Sequence, residues 1–388
     1  MVTFPHPCRA HSCGISRRLQ RRAVFPQPKV IFQEAAMALD ESKLHEFVGK
    51  MVGEMGGAMT AALMIIGDKL GLYKELAGGK LTSAELAKAT GTTERYVREW
   101  LAAQAAAGYV TYDPEGGGKY SLSPEQAMVF ANEASPVFMP GFAEVIQSMW
   151  RDEPKITEAF KTGKGVGWHE HDACLFRGTE RFFRPGYAAH LVETWLPALG
   201  GVVDKLKRGA RVADVGCGHG SSTIIMAKAF PKSEFVGYDY HGPSIEKAKR
   251  AAADAGTSAN IKFETASAKD FPGKDFDLVT FFDCLHDMGD PVGAASHVRK
   301  SLKPDGTWLI VEPFANDEMK DNMNPIGRIF YAASTMICTP ASLSQEVGLG
   351  LGAQAGEARL RQVVTQGGFG RFRRATETPF NLVLEARP

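Results

Sequence analysis

From residue 44 onward the apolar positions fall three and four apart. Leu44, Phe47, Val48, Met51, Met55 and Met59 form one stripe that runs on through AALMIIGDKLGLYKEL. This spacing predicts an amphipathic helix, with its methionine-rich face turned to a core or to a second subunit in preference to a promiscuous ligand. A different pattern begins near 211. Short apolar runs at 212–215, 234–240, 261–267, 277–283 and 307–313 alternate with helical stretches at 223–230, at 243–255 and in VGAASHVRKSLKPDG. Repeated strand and helix units predict a parallel sheet covered on both faces, and strands this apolar fit that burial. The closing run GFGRFRRATETPFNLVLEARP predicts two last strands around a turn at Thr378 and Pro379.

Between these two regimes, 81–123 reads as a capped helix, a turn at Gly91, a second helix over 93–107 and a hairpin closed by glycines 116–118. That is a winged helix-turn-helix in outline. DNA binding would need clustered cations, yet four basic residues (Lys88, Arg95, Arg98, Lys119) stand against five acidic ones (Glu85, Glu94, Glu99, Asp113, Glu115). A role in pairing subunits or enclosing a substrate fits this balance better. Next come a helix and loop in SPEQAMVFANEASP, and helices in FMPGFAEVIQSMW and EPKITEAFKTG broken at prolines and glycines. The span GVGWHEHDACLFRGTERFFRPGYAAHLVETWLPAL is dense in aromatic and basic side chains. Three readings compete for His169, Glu170, His171 and Asp172. They are a polar loop with surface histidines, a metal site, and a lid over a small-molecule pocket in which Trp168, His169, Arg181 and Tyr187 meet the substrate. A metal site would want ligands from more than one element, so none is expected here.

At 388 residues the chain has room for two domains or a little more. Its 45 basic and 44 acidic residues argue against a dedicated nucleic-acid binder and against a membrane-surface protein. Apolar runs such as MTAALMIIG are far shorter than the roughly 20 residues of a membrane span. The six cysteines show no paired spacing, so reduced thiols in the cytoplasm are expected. Residues 1–33 carry six basic residues and no acid, a pattern open to an organelle presequence, a disordered tail, or a natural start at Met37. Without a small-residue cleavage signature, the last two are preferred. The expected domains are a 1–39 tail, a winged-helix domain at 40–135, a helical linker and lid at 136–207, and a ligand-binding domain at 208–388.

Chemistry concentrates in RVADVGCGHGSST at 211–223, where a strand containing Asp214 meets Gly216, Gly218 and Gly220 before a helix. Glycine permits a tight turn and lets a ligand lie against the backbone, and the helix start offers unpaired N–H groups. The next strand ends in Asp239, from which a carboxylate can accept bonds from both hydroxyls of a ribose, at about the 20-residue distance of nucleotide folds. A nucleotide-type ligand follows from this arrangement. The form D-x-G-x-G-x-G, with its third glycine one place earlier than in a dinucleotide fingerprint, resembles the first motif of class I S-adenosylmethionine-dependent methyltransferases, and favours that cofactor over NAD.

VADVGCGHG, YDYH, ETASAKDFPG, FDLVTFFDCLHDMGDP and LKPDGTWLIVEP, followed by a closing antiparallel strand, extend the likeness. From about residue 40 to the C terminus the chain resembles a bacterial group of winged-helix class I methyltransferases, similar in layout to plant-type O-methyltransferases. The resemblance implies a doubly wound, Rossmann-like α/β fold of seven strands, mostly parallel with one antiparallel, behind a mainly helical winged-helix domain that pairs two subunits. It implies S-adenosylmethionine as cofactor and a small-molecule acceptor, methylated at oxygen. Asp214, Gly216, Gly218 and Gly220 would border the methionine part, with Asp239 on the ribose and Tyr240 against the adenine. Ser267 stands where many relatives carry aspartate, with the backbone of Ala268 and Lys269 to help. Asp283 would face the cofactor's amino group, or is a plain polar strand end. His286 falls where relatives carry a general base facing the pocket mouth, with Glu312 to orient it; the alternative is a loop histidine that caps the next helix, beside Asp287 as a helix cap. The stretch 326–354 would line the acceptor site. Two other functions stay open: a DNA-binding regulator that keeps the fold as a sensor, and a partner-binding protein that has lost catalysis.

Overall fold

The computed structural model describes residues 39–388, so the basic tail, the start at Met37, Cys8 and Cys13 lie outside the described residues. The predicted stripe lies on α1 (Glu41–Lys69), one helix of 29 residues. Within the single chain the stripe is exposed: Phe47 is 59%, Met55 58% and Met59 73% accessible.

Next come α2 (Leu72–Ala77), α3 (Ser83–Thr90), α4 (Glu94–Ala106), the strands β1 (Thr111–Asp113) and β2 (Lys119–Ser121), and α5 (Pro124–Phe130). Thr82 caps α3 reciprocally, accepting from Glu85 N at 3.2 Å and donating its own N–H to Glu85 at 2.8 Å. Leu72, Tyr73, Leu76, Leu86 and Leu101 form the core of this unit. Helix-turn-helix and hairpin are therefore where the sequence predicts them. The cations of α4 are spent within the helix: Arg98 pairs with Glu94 at 2.7 Å and Arg95 with Glu99 at 2.6 Å.

α6 (Pro140–Thr162) corrects the expectation of two helices broken at a proline. Pro154 lies inside it, on the exposed side, while Asp152 and Ile156 are buried on the other. The carbonyl that loses its partner can turn to solvent, and packing of the inner face carries the helix through. α7 (Ala173–His190) packs along α6 and continues into a wide turn, Leu191–Trp195, and then α8 (Val202–Arg208).

The remaining elements are β3 (Arg211–Val215), α9 (Ser221–Ala229), β4 (Glu234–Asp239), α10 (Gly242–Asp254), β5 (Ile261–Thr265), β6 (Phe276–Phe282), α11 (Pro291–Ser301), β7 (Leu302–Pro313), α12 (Pro325–Ala333), α13 (Thr339–Leu343), α14 (Gly356–Gln366), β8 (Arg371–Glu377) and β9 (Asn381–Arg387). The sheet order is β5-β4-β3-β6-β7-β9-β8, with β9 antiparallel to both of its neighbours. Alternate residues serve opposite faces. Val212, Leu278, Leu309 and Val311 enter one core, while Ala213, Val279, Trp308 and Ile310 enter the other. Double burial explains why these strands read as continuous apolar runs. From β3 the chain winds outward to β5 and then returns to the far side of β3 as β6. The strand order reverses there, which opens a crevice at the carboxyl ends of β3, β4 and β6.

Candidate functional site

At the tip of β3, Gly216 and Gly220 have φ of 73° and 82°. Gly216 must also stay bare because a Cβ would meet Cys284 Sγ at 2.8 Å. A Cβ at Gly220 would meet Phe263 at 2.6 Å, so this glycine seats α9 against β5 and does not border the cavity. The amides of Gly216 and Cys217 donate to Tyr238 O at 2.8 and 3.0 Å, tying the turn to β4. Asp239, at the end of β4, accepts from Gly218 N at 2.9 Å on one oxygen and from His241 N at 2.8 Å on the other. Burial raises its pKa even though both amides oppose the rise. Each oxygen keeps a lone pair for a further donor.

Asp214 is placed differently from the expectation. Its carboxylate is 1% exposed and accepts hydroxyl protons from Ser222 at 2.7 Å, Thr223 at 2.6 Å and Thr280 at 2.8 Å. It braces the turn from beneath and does not reach the cavity. The reason is its register: it pairs with Gly237 and Thr280 inside the sheet, one residue before the strand's last, Val215.

A cavity of about 490 Å³ opens above the turn, within the roughly 300–1,000 Å³ of small-molecule sites. Gly216, Gly218, Asp239, Tyr240, Ser267, Ala268 and Asp283 line it, as do Trp168, His169 and Tyr187. Ser267 spends its hydroxyl on its own turn, accepting from Lys269 N at 3.2 Å. Asp283 holds a positive φ of 50°. It accepts from Tyr187 Oη at 2.9 Å and from Asn381 Nδ2 at 3.3 Å. Burial, with the nearby charge of Glu312, pushes its pKa up to about 7.

Beyond Asp283 the chain makes a tight turn, Leu285–Asp287. Glu312 accepts from Leu285 N at 2.9 Å on one oxygen and meets His286 Nδ1 at 2.5 Å with the other. The expected pairing of His286 with Glu312 is therefore present. His286 is only 4% exposed, however, and the wall beside it is made by Cys284, Asp287 and Met288. It does not face the cavity as expected, because its ring is drawn between Glu312 and Asp287, whose Oδ1 lies 3.1 Å from Nε2. Burial alone would lower its pKa, but the charges of Glu312 and Asp287 outweigh this and hold it well above the usual value. Asp287 is not a helix cap either. Asp290 caps α11, accepting from Gly293 N at 2.7 Å, while Asp287 Oδ2 accepts from Trp168 Nε1 at 2.7 Å.

Arg181, expected at the substrate, is withdrawn into a structural hub with Asp68 at 2.7 Å, Glu144 at 2.9 Å and Glu133 at 3.0 Å. Three carboxylates outbid the cavity for one guanidinium. His169, Glu170, His171 and Asp172 diverge: His171 bonds Asp152 at 2.9 Å, Asp172 caps α7, Glu170 accepts from Gly167 N, and His169 alone of the four lines the cavity. Of 326–354, only Ser344, Gln345 and Glu346 reach the wall. Phe330, Ile337, Cys338 and Ala353 pack instead with Val145 and Leu175. Phe176, Glu180 and Phe183 line the cavity unforeseen. With Tyr187 they fall at helical spacing on one face of α7, a signal that the aromatic density of the segment concealed. His241 follows the YDY run directly and stacks on Phe176 with ring centres 4.6 Å apart.

Residues 206–364 match the family described as a methyltransferase domain, and 58–132 match the Rv2258c-like winged HTH domain. The chain is similar to a sterol 24-C-methyltransferase of Aspergillus fumigatus, 29% identical over 168 residues that make 42% of each chain. It is also similar to a demethylmenaquinone methyltransferase of Staphylococcus aureus, 31% identical over 110 residues, 28% of this chain and 44% of that one. It thus spans less than half the length of these curated relatives. Human N-acetylserotonin methyltransferase, solved in complex with SAM, superposes with a TM-score of 0.66 at 15% identity, over 90% of this chain and 99% of that one. An O-methyltransferase family protein from Burkholderia thailandensis gives 0.64 at 19% identity, over 88% and 98%. At such identities the likeness is one of fold.

Proposed function

We propose that this chain, a methyltransferase domain of the class I fold behind a winged-helix domain, transfers a methyl group from S-adenosylmethionine to an oxygen of a small molecule. The observation that carries the reading is Asp239, held by two backbone amides across from a glycine turn at the head of a cavity of about 490 Å³. Gly216 and Gly218 would hold the methionine part of the cofactor, Asp239 its ribose hydroxyls, and Tyr240 with the turn at Ser267 and Ala268 its adenine; all of them line the cavity. Asp283 would hold the amino group. Asp214 and Gly220 act beneath, shaping the turn.

When bound, the cofactor supplies a sulfonium methyl that an acceptor oxygen can displace directly. Holding donor and acceptor in line supplies much of the rate. Trp168, His169 and Tyr187 give the acceptor region aromatic walls, which suit a flat and moderately apolar molecule. Glu312 fixes His286 through Nδ1, leaving Nε2 as the nitrogen that receives the acceptor's proton once the ring has released its own. The acceptor would reach it beside Asp287, whose Oδ2 accepts from Trp168 Nε1 at 2.7 Å.

The exposed apolar stripe of α1 supports a homodimer through the N-terminal region. No helix among the described residues is long and apolar enough to cross a membrane, and the four cysteines among them, all unpaired, agree with a cytoplasmic setting. The competing regulator is disfavoured because both arginines of α4 are already held by glutamates. Calorimetry with S-adenosylmethionine and with its demethylated product tests the reading. Binding of both is expected, and binding of neither overturns it.

A further inference from the structure

One group of atoms at the reaction end has a geometry that proton transfer alone does not call for. A ring nitrogen of His286, a carboxylate oxygen of Asp287 and Cys338 Sγ all lie within 4.8 Å of one another, and His286 Nε2 stands 3.1 Å from Asp287 Oδ1. The first two come from the turn Leu285–Asp287, and the third from the end of the wide turn Ser334–Cys338. The residues are 4%, 7% and 6% exposed. Asp287 Oδ1 is buried without a hydrogen-bond partner, although His286 Nε2 is only 3.1 Å away. Nitrogen and oxygen thus stand side by side as a close pair. A separation near 3 Å is also that of two ligands on one small cation.

The surroundings orient these atoms inward. Glu312 holds the opposite ring nitrogen of His286, and a carboxylate in that position is the usual support behind a metal-bound imidazole. Trp168 Nε1 takes Asp287 Oδ2 and turns Oδ1 toward the cluster. Nitrogen, oxygen and sulfur in one compact set match the preferences of zinc-type ions. Three ligands leave a fourth tetrahedral position open, and Asp287 also forms part of the cavity wall.

We infer that His286, Asp287 and Cys338 bind a zinc-type divalent cation, and that the bound ion shuts off methyl transfer by occupying Nε2 of His286. Binding releases the thiol proton and any proton on Nε2 to solvent, with no change of oxidation state. The inhibitory half rests on the proposed methyl transfer; the site itself does not.

The full chain, stripped with chelator and dialysed against zinc, should retain one equivalent by elemental analysis. Cobalt in its place should give the near-ultraviolet absorption of a thiolate-bound ion. Cys338→Ser should abolish that band, and both Cys338→Ser and Asp287→Asn should weaken zinc binding tenfold or more, with near-ultraviolet dichroism confirming that each variant is folded. Zinc should slow methyl transfer tenfold or more in the unaltered chain, reversibly with chelator, and the ratio of rates with and without zinc should approach one in Cys338→Ser. Absence of retained zinc, or equal retention by both variants, overturns the site. Bound zinc that leaves the rate unchanged overturns the switch. If the chain methylates nothing, metal retention and the cobalt band still decide the site, while cofactor calorimetry decides the methyltransferase reading.

Discussion

At the glycine-turn end of the cavity, Asp214 receives three hydroxyl protons and Asp239 two backbone amides. At the other end, two carboxylates press on a single imidazole, Glu312 at Nδ1 and Asp287 at Nε2. The first arrangement is complete before any ligand arrives, made of neutral dipoles whose positions are set by the sheet. The second carries more acceptor atoms than donors and answers to whatever proton or cation enters. Rigid satisfaction suits recognition of a constant cofactor, whereas unsatisfied charge suits the place where a proton must change hands.

The largest expected effect separates the two ends most clearly. His286→Ala should lower methyl transfer by about 100-fold or more, with cofactor affinity within twofold, as single-turnover rates and calorimetry would measure. A parallel loss of affinity would merge the ends into one unit. Asp239→Ala should weaken cofactor binding by roughly 30-fold, on the order of 2 kcal/mol for bonds to a charged acceptor. Protonation should act in the same direction. Because burial raises the pKa of Asp239, affinity should decline toward acid from a pH above the ordinary carboxylate range.

Asp283 sharpens the comparison through stability. Its pKa rises from 3.8 to about 7 in the folded chain. Between those values the folded protein binds a proton that the unfolded chain has released, so stability falls as pH rises through that window. Asp283→Asn should remove this loss, gaining up to about 4 kcal/mol at pH 8 and little at pH 4, as melting curves at the two pH values would register. The smallest effect is expected far from both ends. Arg98→Ala breaks an exposed pair in α4 and should change stability by less than about 0.5 kcal/mol, leaving rate and affinity untouched. A gel shift with duplex DNA that appears in the unaltered chain and weakens in this variant would revive the regulator.

The glycine-turn end was legible because it is local. β3, the turn and β4 lie within 211–239, and a short contiguous motif carries both the glycines and Asp239. Even there Asp214 was misplaced, since an aspartate inside a strand reads the same whether it faces a ligand or three buried hydroxyls. The reaction end is assembled from positions far apart in the chain: Trp168 and Asp287 are separated by 119 residues. His286 and Glu312 could be paired through resemblance, but Cys338, alone in an apolar stretch, gave no local signal. Arg181 failed for a related reason. Its three carboxylate partners come from α1, from the loop after α5 and from α6, and a competition among distant charges leaves no pattern in the segment that holds the arginine. Pro154 was read as a helix end by a rule of local propensity that the packing of α6 overrides.

The bond between Trp168 and Asp287 also bears on how quickly the molecule can work. Under the proposed reading, an acceptor that approaches His286 beside Asp287 meets the indole and its hydrogen bond first. Loosening of the indole is then a motion distinct from the chemical step, of the kind that gates turnover in other enzymes.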